Sequence, residues 1–341
     1  MNGRSLGGLD LFRPVAAALV IAIHTSPLEG FDGDLDFFLT RIIARLAVPF
    51  FFMVTGQFVL GGSLSGEEKE LRKVTGYLRK TLVLYVIATL LYLPLGIYAG
   101  YYSELSFSLA LRLFFFDGGF YHLWYFPALI TGILVIIGLS RLLSERGLII
   151  ACLLLYAVGL FGDSYHGFIV DAPLVSQIYE LFFCIFSYTR NGIFMAPIFL
   201  LMGAMAARKG CCSRSLCIIG FALSLSLMTV EGFTLKLMEV QRHDSMYVFL
   251  LPSAFFLYRL LTMREIPAVK SLRRISAYVY LLHPAVIVLV RGAAKALGMT
   301  ELLVDNTLVH FFAVCVVSFA GAWVLAVGAR KVRMAFADGK G

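Results

Sequence analysis

Ten apolar stretches, each near the length of a bilayer crossing, run through this sequence with mostly short polar loops between them. They lie near residues 11–27, 38–61, 78–100, 121–143, 147–163, 190–208, 215–232, 245–263, 275–297 and 307–330. A helix needs about 20 predominantly apolar residues to cross the hydrocarbon core, where only intrahelical hydrogen bonds can satisfy the backbone. The pattern therefore predicts an all-α polytopic membrane helix bundle of about ten transmembrane helices. Of the 341 residues, 60% are hydrophobic and 15% charged, against an apolar share of roughly 45–50% in soluble domains. No linker or second apolar core appears, so residues 1–341 read as a single domain. One leftover piece, SFSLALRLFFF at 106–116, is expected to be interfacial or re-entrant.

Basic residues orient the bundle. Cytoplasmic loops carry an excess of Lys and Arg, and threading ten helices with both termini in the cytoplasm gathers 19 of the 29 Lys and Arg on that side. They include Arg4, the run Lys69 to Lys80, Arg141, Arg146, Arg208, Lys209, Arg214, Arg264, Lys270, Arg273, Arg274 and the tail from Arg330 to Lys340. The opposite loops hold Arg112, Arg190, Lys236 and Arg242, and the first of them, LEGFDGDLD, is purely acidic. The net charge of +8 thus follows from topology, with anionic membrane lipids as its ordinary partner. Thirty Phe and 16 Tyr suit lipid exposure and interfacial belts, not nucleic-acid binding. The expected location is the cytoplasmic (inner) membrane of a bacterial cell, crossed many times. HTSP after the first apolar run offers no cleavage site of small residues, so that run is read as a retained helix. The cysteine cluster CCSRSLC lacks the paired spacing and histidine partners of a zinc site, and no metal is expected.

Six basic residues remain at membrane depth or near helix ends: Arg13, Arg41, Arg45, Arg259, Arg291 and Lys295. A charge in the bilayer is costly enough that an inward-facing role is the starting hypothesis. Arg259, Arg291 and Lys295 lie close enough to span ends to reach the headgroups. Arg41 and Arg45 sit one helical turn apart, and for them pairing with Asp32, Asp34 or Asp36 stands beside a role at substrate. Arg13 lies about one turn into the first helix at the cytoplasmic mouth. There its planar guanidinium suits the phosphates of a nucleotide-like donor, with pairing to Asp10 as the alternative.

Eleven residues separate Arg13 from His24, which returns to within roughly 20° of the same helical face, about 16 Å along the axis. An imidazole so aligned is a candidate general base, although a lone histidine is more often structural. His122 in GGFYHLWYFP opens the fourth span at the same outer level as His24, with Trp124 and Tyr125 as ligand contacts or a headgroup belt. His283 in YLLHP precedes Pro284, which frees a carbonyl in mid-helix and predicts a break lining a cavity. His310 reads as structural. The sequence has no Gly-rich phosphate loop, no Gly-x-Ser-x-Gly elbow and no His-x-x-x-x-Asp acyltransferase box, so any chemistry belongs inside the bundle.

The D-x-x-R-x(10)-H arrangement from Asp10 through Arg13 to His24, with VPFFFMVTGQF and ISAYVYLLHP, resembles the integral-membrane acyltransferase family 3. That likeness implies a ten-helix core moving an acyl group, often acetyl from cytosolic acetyl-CoA, onto an extracytoplasmic sugar or other hydroxyl. Arg13 would contact the acyl-CoA donor. His24 would take the acceptor's proton or transiently accept the acyl group. ARLAVPFFFMVTG, YHLWYFPALITG, TRNGIFMAPIFL and HDSMYVFLLP are further similar to the membrane domain of VanT-type vancomycin-resistance serine racemases. This second likeness implies a module that binds or transports L-serine for a cytoplasmic racemase, fused or separate. The serine carboxylate would then go to Arg190 or Arg45 and its ammonium to Asp244. Arg190 is expected at the N-terminal end of its span, where the helix dipole would assist it. Ending at KVRMAFADGKG, the chain reads as a standalone relative or as the membrane half of such a fusion.

Overall fold

The computed structural model describes residues 6–62, 68–206, 212–263 and 266–338. Arg4, Arg208, Lys209, Cys211, Arg264 and Lys340 fall outside these residues, as do the side chains of Lys69, Lys331 and Arg333. The described chain is helical, apart from turns and one isolated parallel bridge between Leu6 and Ile266. In order come α1 (Gly7–Thr25), α2 (Gly33–Phe37), α3 (Ala47–Thr55), α4 (Glu68–Tyr98), α5 (Phe107–Arg112), α6 (Tyr125–Leu142) and α7 (Glu145–Phe161). They are followed by α8 (Pro173–Ile185), α9 (Ala196–Ala206), α10 (Arg214–Leu237), α11 (Leu250–Met263), α12 (Lys270–Leu297) and α13 (Thr307–Asp338). Seven described stretches are long and apolar enough to cross a membrane: Gly7–Thr25, Gly33–Leu60, Glu70–Tyr98, Tyr125–Leu142, Arg214–Leu237, Lys270–Leu297 and Thr307–Arg330.

The second of these stretches is irregular. A π turn at Phe38–Ile42 and a 3-10 turn at Ile43–Leu46 join α2 to α3, and a second π turn covers Gly56–Leu60. Such changes of helical pitch rotate the side chains that follow, so Arg41 and Arg45 are not the simple one-turn neighbours expected of a regular helix.

The chain groups into two compact units, one formed by residues up to 47 together with those from 258 onward, the other by 48–257. In the first, α1 packs on α12 and α13 around an apolar seam of Ala17, Ile21, Val279, Val286, Ile287, Val314 and Ala322. In the second, α9 is the central element, buried along nearly its whole length against α6, α7 and the Gly56–Leu60 turn. Close approach there depends on glycine. A Cβ on Gly56 would stand 1.9 Å from the Leu200 carbonyl oxygen, and one on Gly203 1.9 Å from that of Met53. Small residues at such crossings let backbones touch where lipid offers no hydrophobic drive for association.

Three expectations change. Helix α8 appears where no span was predicted: PLVSQIYELFFCI is too short and too polar to read as a crossing, yet its apolar residues recur with helical period. Helix α9 begins at Ala196 rather than near 190, because Asn191 turns its side-chain oxygen onto the backbone N–H groups of Ile193 (2.9 Å) and Phe194 (3.1 Å) and holds that stretch in turns. The break expected at His283–Pro284 is absent, and α12 runs through it from Lys270 to Leu297.

Candidate functional site

At the start of α1, Gly7 and Gly8 let the helix press onto a neighbouring backbone. A Cβ on Gly8 would lie 2.1 Å from the Leu261 carbonyl oxygen, and one on Gly7 2.3 Å from that of Pro267. This approach sets Asp10, buried, against the head of α12. Its carboxylate accepts the Val269 N–H at 3.0 Å and two hydrogen bonds from Arg273, Nε at 2.7 Å and Nη2 at 2.9 Å. Arg13 Nε stands 3.5 Å from the same carboxylate. Both readings of Arg13 therefore meet at one place: it does contact Asp10, but Arg273 takes that carboxylate first. Two guanidinium groups on one carboxylate leave a positive charge in excess, which suits a phosphate-bearing ligand. Arg273 escaped the sequence reading because it sat among loop charges. The available signal was Asp10 itself, an acid in an apolar helix that needed a partner.

His24 lies in the last turn of the same unbroken helix, about 16 Å from Arg13 by helical rise. The cationic form of a histidine is favoured at a helix C-terminus. Its ring stacks on that of His283, with centroids 5.4 Å apart and planes 23° from parallel. His283 is fully buried, and its Nδ1 lies 3.1 Å from the Val279 carbonyl oxygen, an arrangement that puts the ring proton on Nδ1. His310 bonds the Leu303 carbonyl through Nδ1 at 2.8 Å. Arg45 is buried in the 3-10 turn of this unit. Of the acids expected to meet Arg41 and Arg45, Asp36 accepts from the Leu28 N–H at 2.9 Å and the Thr40 hydroxyl at 3.3 Å. Asp32 caps α2 through the N–H groups of Asp34 and Leu35.

A second polar cluster lies in the 48–257 unit. The Arg190 guanidinium sits 4.3 Å from the centroid of the Tyr188 ring and 5.3 Å from that of Trp124, and donates through Nη1 to the Ser245 hydroxyl at 3.2 Å. Arg190 precedes α9 by a stretch of turns, so the dipole assistance expected of a helix start does not act on it. Asp163 orders the loop opposite, accepting the N–H groups of Ser245 at 2.7 Å and Met246 at 2.9 Å. Glu231 plays the corresponding part at the head of α11, taking the Val248 and Phe249 N–H groups and the Tyr165 hydroxyl. Asp244 is half-buried beside this loop, next to His243, whose ring lies 4.5 Å from that of Tyr188. His122 is buried among the rings of Tyr92 (4.6 Å), Tyr121 and Phe120. Trp124 and Arg190 are thus brought together, while Arg45 is described with the other unit. Tyr188, Ser245, Asp163 and Glu231 were missed because a polar residue at a loop end carries no periodic signal. Among the described residues, no group of His, Cys, Asp and Glu is placed to hold a metal ion.

A family model described as an acyltransferase domain matches residues 6–327. Two amino-acid racemases of Enterococcus faecalis are each 38% identical, over 327 and 334 residues, covering 95% and 96% of this chain but 45% and 47% of theirs. A serine/alanine racemase of Enterococcus gallinarum is 35% identical over 317 residues, 91% of this chain and 44% of that protein. The chain therefore spans less than half the length of these relatives. No solved structure matches it.

Proposed function

We propose, because the chain belongs to the integral-membrane acyltransferase family 3, that it moves an acyl group, acetyl in the simplest case, from a cytosolic CoA thioester to a hydroxyl on an extracytoplasmic acceptor. One observation carries this reading: a single unbroken helix bears Arg13 beside a surplus of positive charge near its start and His24 in its last turn. Arg13 holds the donor's phosphates. His24 takes the proton of the acceptor hydroxyl while the oxygen bonds to the thioester carbonyl carbon. The carbon–sulfur bond then breaks and the thiolate takes that proton back. We read the two compact units as parts of one domain in a bacterial cytoplasmic membrane, crossed about ten times with both termini inside. Purified protein should bind acetyl-CoA and release CoA thiol from it. Arg13→Ala should weaken binding, and His24→Ala should keep binding but lose turnover by roughly 10²-fold or more, the scale of removing a general base. Absence of binding to any CoA thioester would refute the reading.

The racemase relatives favour a second reading, in which the chain handles L-serine for a cytoplasmic racemase and transfers no acyl group. The Arg190, Tyr188, Trp124 and Ser245 cluster would hold the carboxylate, and Asp244 the ammonium. Uptake of radiolabelled L-serine into proteoliposomes separates the two.

A further inference from the structure

The stacking geometry points to His283 as the residue that positions His24 for proton transfer. This role presupposes the transferase reading and adds to it a second histidine that touches neither donor nor acceptor. The local sequence fixes His283 unusually well. Pro284 has no N–H, so the Tyr280 carbonyl four residues back loses its helical donor. The His283 ring lies against that carbonyl and that of Val279, with Nδ1 3.1 Å from the Val279 oxygen. One tautomer is thereby selected, and the ring cannot turn without giving up a buried hydrogen bond.

The consequence falls on His24. It sits at a helix end, where the chain turns away through Ser26 at φ 43°, and its ring would otherwise rotate freely about its side-chain bonds. A rigid flat neighbour at 5.4 Å and 23° limits it to orientations that stack, so its reactive nitrogen points along the shared plane. The π face of a neutral ring also attracts a cation. His283 therefore favours His24 in the state it reaches after taking the acceptor's proton. The proton goes from the acceptor hydroxyl to His24 and from His24 to the departing thiolate; His283 neither gains nor loses one.

The test uses the full chain in detergent, with acetyl-CoA as donor and water as acceptor, timing thiol release per acetyl-CoA-binding site. His283→Phe keeps a ring of similar volume but lacks the bond to Val279. His283→Asn keeps an N–H near the Nδ1 position but lacks the ring. Each should lower kcat about tenfold or more, the scale expected when a catalytic group is misplaced, with KM for acetyl-CoA unchanged within about twofold. Counting binding sites removes misfolded protein from the comparison, and if one variant does not fold the other decides. Unchanged kcat per site, or a loss confined to KM, overturns the positioning role and leaves the transferase reading intact. No thiol release by the unsubstituted protein overturns both.

Discussion

Arg273 grips both carboxylate oxygens of Asp10, at 2.7 and 2.9 Å, and so ties the head of α12 to the first turn of α1. Asp10 is fully enclosed, and its remaining capacity goes to the Val269 N–H and to Arg13. Replacing it by Asn keeps an acceptor but discards the charge that both guanidinium groups face. Asp10→Asn should lose about 1.5–3 kcal/mol, the scale of a charge-assisted hydrogen bond, read as a lower unfolding temperature in detergent. No change would mean that the pair is only a surface contact.

Gly56 and Gly203 let helices approach to a distance that no side chain fits. Gly203→Ala should therefore cost at least about 1–3 kcal/mol, as overpacking does, and sharply reduce the yield of folded protein. Gly138 on α6 has open space where its Cβ would go and serves as the control. Gly138→Ala should be neutral or slightly stabilising through helix propensity. Equal yields from both variants would contradict the close crossing.

The loops before and after the membrane spans can be probed with single cysteines. Phe31 is 82% exposed and Leu142 81%, so neither substitution removes a cap or a core contact. With both termini inside, an impermeant thiol reagent outside the cell should label Phe31→Cys and leave Leu142→Cys unmodified. Labelling of both would refute the ten-span threading.

Asp117 accepts the Ser187 N–H through both oxygens, at 3.0 and 3.2 Å, with Arg112 at 3.5 Å. Desolvation holds its carboxyl above the ordinary value of 3.8 despite these favourable contacts. A raised folded pKa means that the native state binds the proton more tightly. This contribution to stability is present in acid and is lost as pH rises from 3.8 through the raised value. Asp117→Asn keeps an acceptor for Ser187 without the charge. It should unfold at a higher temperature than the parent at pH 7 and lose that acid-side dependence. A variant less stable at neutral pH would show that the Arg112 contact outweighs desolvation.

If the serine-handling reading holds, Arg190→Ala should weaken L-serine binding about tenfold or more, the scale of a charge-assisted contact. Arg190→Lys should not restore it, since only a planar guanidinium stacks on Tyr188 and Trp124 in this way. Calorimetric titration with L-serine reads both. Binding that survives Arg190→Ala would remove this cluster from consideration.

What the sequence alone determined was the membrane-bundle class and the shared face of Arg13 and His24. Both are properties of short chain segments: twenty apolar residues must form a helix in lipid, and eleven residues along a helix return to the same side. Tertiary structure decided which groups meet. Asp10 found Arg273 across 263 residues of sequence, and His24 found His283, because α12 packs along α1 in a way that no local pattern encodes. It also decided the departures from regularity. Helix α9 starts late because Asn191 claims the backbone before it, α8 forms because its apolar face has a helical period, and α12 continues through Pro284 with a histidine ring beside the carbonyl that the proline leaves without a donor. Hydrophobic length is additive along the chain and so is readable from it, whereas the pairing of polar groups depends on which surfaces three-dimensional packing brings within about 3 Å.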